Sequence, residues 1–112
     1  MIFVVTSIQL KSIGHFFQFV RLTSRSVRQL QKDYPHAIFK ASGFWKTYYT
    51  LSGWKDAAEM KRYATSGAHF EAVKSAAKVA ARVQTITFES TNIPSWKEAK
   101  EKLTTGKVIT YR

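Results

Sequence analysis

His69 is the residue best suited to chemistry here, because an imidazole exchanges protons near neutral pH and can also serve as a haem axial ligand. Trp54 and Tyr63 can wall a pocket and hydrogen-bond an oxygen of a bound molecule through the indole N–H and the phenol. Phe16, Phe17 and Tyr49 are further lining candidates. Each has a plainer role as well. His69 opens a helix where a backbone group or Glu71 can hold it, and Trp54 and Tyr63 suit an ordinary core. Phe16, Phe17 and Val20 form a stripe that is core first and pocket lining second. His15, beside Phe16, and His36, after Pro35, read as structural or exposed.

Other chemistries are poorly served. With no cysteine there is no disulfide, zinc–thiolate site or thiol nucleophile. The three histidines lack metal-ligand spacing such as H-E-x-x-H, so no metal site is expected unless His69 holds a haem. The seven acids are scattered, which disfavours paired-carboxylate catalysis. No G-x-x-x-x-G-K, G-x-G-x-x-G or G-x-S-x-G occurs, which argues against nucleotide cradling and triad hydrolysis.

Lys and Arg number 18 against those seven acids, a formal charge of +11 that attracts nucleic acid, acidic headgroups or phosphorylated small molecules. The cations are spread along the chain rather than clustered, the pattern of solvated helix faces.

The elements that must position these residues follow from periodicity. Ile2 to Leu10 alternates as a strand, with Val4, Thr6, Ile8 and Leu10 on one face and Phe3, Val5, Ser7 and Gln9 on the other. Ser12 can cap a helix from Ile13 to about Lys32. Ile13, Phe16, Phe17, Val20, Val27 and Leu30 make its core stripe, Ser24 fills the gap, and Arg21, Arg25, Arg28 and Lys32 lie opposite. Pro35 ends it. A short strand is expected over His36–Ala41, a turn at Ser42-Gly43, and a long aromatic strand from Phe44 to Trp54. Asp56 starts a helix over Ala57–Ala64, Ser66-Gly67 interrupts, and a second helix runs from Ala68 to about Ala81. Val83–Glu89 is a strand. Ser95 and Glu98 form a capping box for a short helix that Gly106 ends, and Lys107–Tyr111 suits a last strand.

The order βαββ(αα)β is a ferredoxin-like α+β fold, an antiparallel sheet with helices on one face. Residues 1–92 form that domain, and 93–112 a C-terminal helix and strand appendage of it. Several strands are apolar on both sides, so a second copy of the sheet in a homodimer is expected to cover the other face. The N-terminus lacks a basic region and a cleavage site, and no apolar run reaches the roughly 18 residues that span a bilayer, so the expected location is cytoplasmic.

The run Tyr49-Thr50-Leu51-Ser52-Gly53-Trp54-Lys55-Asp56 resembles the T-L-S-x-W segment of the dimeric α+β barrel superfamily, which includes the antibiotic-biosynthesis monooxygenases. Ser66-Gly67-Ala68-His69-Phe70-Glu71-Ala72 looks more particularly like the spheroidene monooxygenase branch. The resemblance spans Phe3 to about Phe88 and implies an obligate dimer with a pocket between sheet and helices for an apolar or aromatic substrate. It also implies oxygenation with either no cofactor or haem; in such a barrel Trp45 and Tyr49 can belong to the interior and the dimer contact instead of the pocket. Against the haem-degrading members the chain has Ser7 for an asparagine, Tyr63 for a tryptophan and Val73 for a histidine, which argues against haem degradation of that kind.

The expected function is thus a monooxygenase-like oxidoreductase acting on a small apolar molecule. A non-catalytic dimeric ligand carrier is the alternative. A nucleic-acid-binding module is disfavoured, because the aromatic signature of RNA-recognition strands is missing from Phe44–Leu51.

Overall fold

The computed structural model describes residues 1–44, 46–65 and 78–110. Trp45, residues 66–77, Tyr111 and Arg112 lie outside the described residues; with them go the expectations for His69, Glu71, Val73, the Ser66-Gly67 break and most of the helix after it.

The described strands form one antiparallel sheet in the order β2-β3-β1-β4-β5. These are β1 (Ile2–Leu10), β2 (Ile38–Phe44), β3 (Thr47–Trp54), β4 (Ala80–Glu89) and β5 (Lys107–Thr110). The described helices are α1 (Phe16–Asp33), α2 (Ala57–Ala64) and α3 (Trp96–Leu103), with a 3₁₀ turn at Ile13–His15. The fold is the α+β ferredoxin-like one that the periodicity predicts, with β5 added at an edge.

Each face has its own core. Val4 and Trp54 point to the α1–α2 side, where Trp54 packs with Leu30 of α1 and Tyr63 of α2. Phe3, Val5 and Leu51 point the other way and meet Ala99 and Leu103 of α3. The chain's own C-terminal helix therefore covers part of the second face.

Two caps form where the sequence put them. Asp56 accepts the Glu59 N–H at 2.8 Å, and Ser95 accepts the Glu98 N–H at 3.2 Å. Gly106 closes α3 by donating its N–H to the Leu103 carbonyl at 2.8 Å.

Four local expectations are corrected. The chain does not turn at Ser42-Gly43. Those residues are in β2 opposite Tyr49 and Tyr48, β2 begins at Ile38, and the hairpin closes on the Phe44–Thr47 pair. Gly43 is needed for a different reason: the Tyr48 ring occupies the space a Cβ would take. Next, the buried face of α1 runs through Phe19, Ser26 and Leu30, so Phe17 is 83% exposed and Val20 and Ile13 are exposed too. A count of apolar residues passed over Ser26, which is buried and whose backbone carbonyl accepts the Tyr63 hydroxyl, and Ile13 lies in the 3₁₀ turn, out of phase with α1. Ser12 places its hydroxyl 2.8 Å from His15 Nδ1 and caps no backbone N–H. Finally, β4 starts at Ala80, because Leu10 pairs with Ala80 beyond a bulge and Lys11 donates to the Val79 carbonyl at 2.9 Å.

Candidate ligand-binding site

A cavity of about 250 Å³ lies between α1 and the β2–β3 hairpin. Two neighbouring rungs of the sheet make its floor, Ala41 opposite Thr50 and Gly43 opposite Tyr48. Phe19 and Thr23, one helical turn apart on α1, make its wall. The space exists because Ala41 and Gly43 are small where the strand passes beneath the helix. The Tyr48 ring stands 4.9 Å from Phe19 and 5.9 Å from Phe16, so the aromatic wall is held from two sides. Thr23 and Thr50 add hydroxyls to an otherwise apolar lining. The arrangement suits a flat, apolar molecule with an oxygen to anchor.

The residues singled out from the sequence are distributed as follows. Phe16 buttresses Tyr48, and Phe17 reaches solvent, touching the Phe16 ring at 5.7 Å. Tyr49 borders the cavity, although its ring lies on the opposite face of the sheet under Lys100. Trp54 is 1% exposed and stacks on Tyr63 at 4.9 Å, with Tyr34 edge-on to both. Neither Trp54 nor Tyr63 lines this cavity. The Trp54 indole N–H donates to Ser52 Oγ at 2.9 Å, and the Tyr63 hydroxyl to the Ser26 carbonyl at 2.7 Å. Burial pushes the Tyr63 phenol up to about 12, outweighing the opposing hydrogen bond at Ser26, so it remains a proton donor across the neutral range.

His36 meets both carboxylate oxygens of Glu59 at 2.8 Å, joining the start of β2 to α2. Glu59 is nearly buried, its side chain 8% exposed against 55% for His36. With His15 bonded to Ser12, the two described histidines have structural contacts and stand away from the cavity. No three metal-ligating side chains converge among the described residues. The described lining also offers haem no imidazole, thiolate or thioether. Its phenols belong to Tyr48, packed between two phenylalanines, and Tyr49, turned to the other face. The described lining of this cavity does not fit haem, and His69 lies outside the described residues.

Sequence reasoning missed Phe19, Thr23, Ala41, Gly43 and Tyr48. The signal was a large aromatic one strand away from a glycine, which marks a place where side chains approach closely.

No known family profile matches the sequence, and no curated protein matches it. Solved structures do. A conserved protein from Methanosarcina mazei Go1 superposes with a TM-score of 0.71 at 16% identity, covering 80% of this chain and 92% of that one. A structure described as an antibiotic biosynthesis monooxygenase gives 0.70 at 10% identity, over 82% of this chain and all of the other. One from Caulobacter crescentus CB15, named with the same group, gives 0.71 at 10% identity, over 81% and 90%. The chain shares the fold of these solved structures, two of which are described as antibiotic biosynthesis monooxygenases. The narrower likeness to spheroidene monooxygenase rests on the residue motifs alone.

Proposed function

We propose that the chain is a monooxygenase-like oxidoreductase that binds a small apolar or aromatic substrate between α1 and the β2–β3 hairpin. The observation that carries this reading is the cavity walled by Phe19 and Tyr48 and floored by Ala41 and Gly43. In a cofactor-free reaction the substrate supplies the electrons to dioxygen, and the protein binds it, orients it and keeps water away. His69 is the candidate base that would deprotonate it.

A second reading is a ligand carrier with the same pocket. It is favoured by a described lining that contains no imidazole, carboxylate or amine. Nucleic-acid binding on the sheet is disfavoured, since the Tyr49 and Phe88 rings lie under Lys100 and Lys102 of α3. The chain is also proposed to pair with itself, supported by the exposed apolar Val108 and Ile109 on edge strand β5. No described helix is long and apolar enough to cross a membrane; a cytoplasmic setting is part of the proposal.

The test is oxygen uptake with 1,4-naphthohydroquinone against a protein-free control. Uptake above background that is lost in His69→Ala supports the oxygenase. Binding without uptake leaves the carrier, and no binding removes both.

A further inference from the structure

The second face of the sheet changes character halfway along β1. Phe3 and Val5 lie in apolar rungs, with Phe88 and Gly53 beside the first and Ile86 and Leu51 beside the second, and α3 covers them. The next two rungs are polar: Tyr49–Ser7–Gln84, then Thr47–Gln9–Arg82. They floor a separate cavity of about 340 Å³ beneath the C-terminal end of α3, with Lys100 and Leu103 above. That is the size of a small-molecule site.

We infer that this cavity is a binding site for a small organic anion, an aryl carboxylate or aryl phosphate whose oxyanion sits between Arg82 and Lys100. Its lining includes two cations and no acid. Among the described residues no carboxylate pairs with either cation, although the short α3 carries Glu98 and Glu101 close by. Hydroxyls and amides from Ser7, Gln9, Thr47 and Gln84 converge on the same space from three adjacent strands. Such a donor set satisfies oxyanion lone pairs and leaves a cation or an apolar ligand badly matched. The Tyr49 ring, with Lys100 Nζ 4.5 Å from its centroid, and Leu103 provide a flat apolar surface for the body of the ligand.

One feature opposes an anion: a helix C-terminus carries partial negative charge. The chain cancels much of it. Thr104 donates its hydroxyl to the Glu101 carbonyl at 2.6 Å and Thr105 its hydroxyl to that of Lys102 at 3.0 Å, while Gly106 donates its N–H to that of Leu103. Two full charges then face a capped helix end worth roughly half a charge.

The experiment is titration calorimetry at low salt with benzoate and phenyl phosphate, and with benzamide as the neutral match. Binding of either anion but not benzamide is expected, weakened about tenfold in Arg82→Gln and in Lys100→Gln. Lys32→Gln, on exposed α1, should leave it unchanged, as should Ala41→Phe in the apolar cavity of the proposed function. The tighter of the two anions identifies the class. Equal binding of benzamide, equal weakening by Lys32→Gln, or no binding of either anion overturns the site. Both cations are exposed, so the variants keep the fold, which circular dichroism verifies.

Discussion

Tyr63 donates its hydroxyl proton to the carbonyl of Ser26, 37 residues earlier, and so ties α2 to the middle of α1. Tyr63→Phe should cost about 1 kcal/mol in urea unfolding. The pH dependence is more telling. An unfolded phenol ionises near its ordinary value of 10, whereas the folded one keeps its proton to about 12. In that window the unfolded chain binds fewer protons, so wild-type stability falls as pH rises. The stability gap between wild type and Tyr63→Phe should shrink over the same range. Parallel profiles for the two proteins would sink this assignment.

The His36–Glu59 pair should stabilise more than an ordinary surface contact, because one partner is buried. Removing the imidazole leaves a carboxylate whose other described contacts include a long one, 3.5 Å from the Lys55 N–H. His36→Ala is expected to cost about 1–2 kcal/mol. A double-mutant cycle with Glu59→Gln gives the coupling, and a coupling indistinguishable from zero would reduce the pair to a surface contact.

Gly53 has no room for a side chain. A Cβ there would lie 2.7 Å from Phe3 Cε1 and 3.1 Å from Ile38 Cβ, in a fully buried part of the sheet. Gly53→Ala should destabilise by about 1–3 kcal/mol. Gly14→Ala, whose Cβ would come no nearer than 3.5 Å to Ser12 Oγ, should be close to neutral. Thermal melts of the two variants compare them directly.

Ala41→Phe should fill the cavity between α1 and the hairpin. Ala41 is exposed and in a strand, so stability should change by less than about 0.5 kcal/mol. Binding of 1,4-naphthohydroquinone, followed by fluorescence quenching, should be lost. Unchanged binding would move the ligand elsewhere.

What could be read from the residues was local and repetitive. The alternation of β1 placed Phe3 and Val5 opposite Val4, and Asp56 and Ser95 marked the starts of α2 and α3 through their side-chain oxygens. What could not be read depended on a distant partner. Ser26 is buried with its backbone carbonyl bonded to Tyr63, 37 residues on, and Gly43 leaves room for the Tyr48 ring. The α1 stripe was misread for the same reason, since polar Ser26 is in the core while Phe17 faces water. Tyr63 and Trp54 were legible as buried aromatics, but the spacing alone did not separate a core stack from a pocket wall. The polar half of the second face was visible as the change from Phe3 and Val5 to Ser7 and Gln9, but its meaning needed the rungs of β3 and β4 beside it.

The position of β1 has a consequence for how the chain reaches its native state. It lies between β3 and β4, so Thr6 pairs with Thr50 on one side and with Thr85 on the other. Neither neighbour is joined to it by a hairpin. During synthesis β1 leaves the ribosome before both partners, and the second arrives 79 residues after Thr6. Until then at least the hydrogen-bonding row that faces β4 stays open on an apolar strand, and contacts this distant in sequence form slowly. Translation pauses before residue 89 would therefore prolong exposure of the segment best able to pair with the wrong chain.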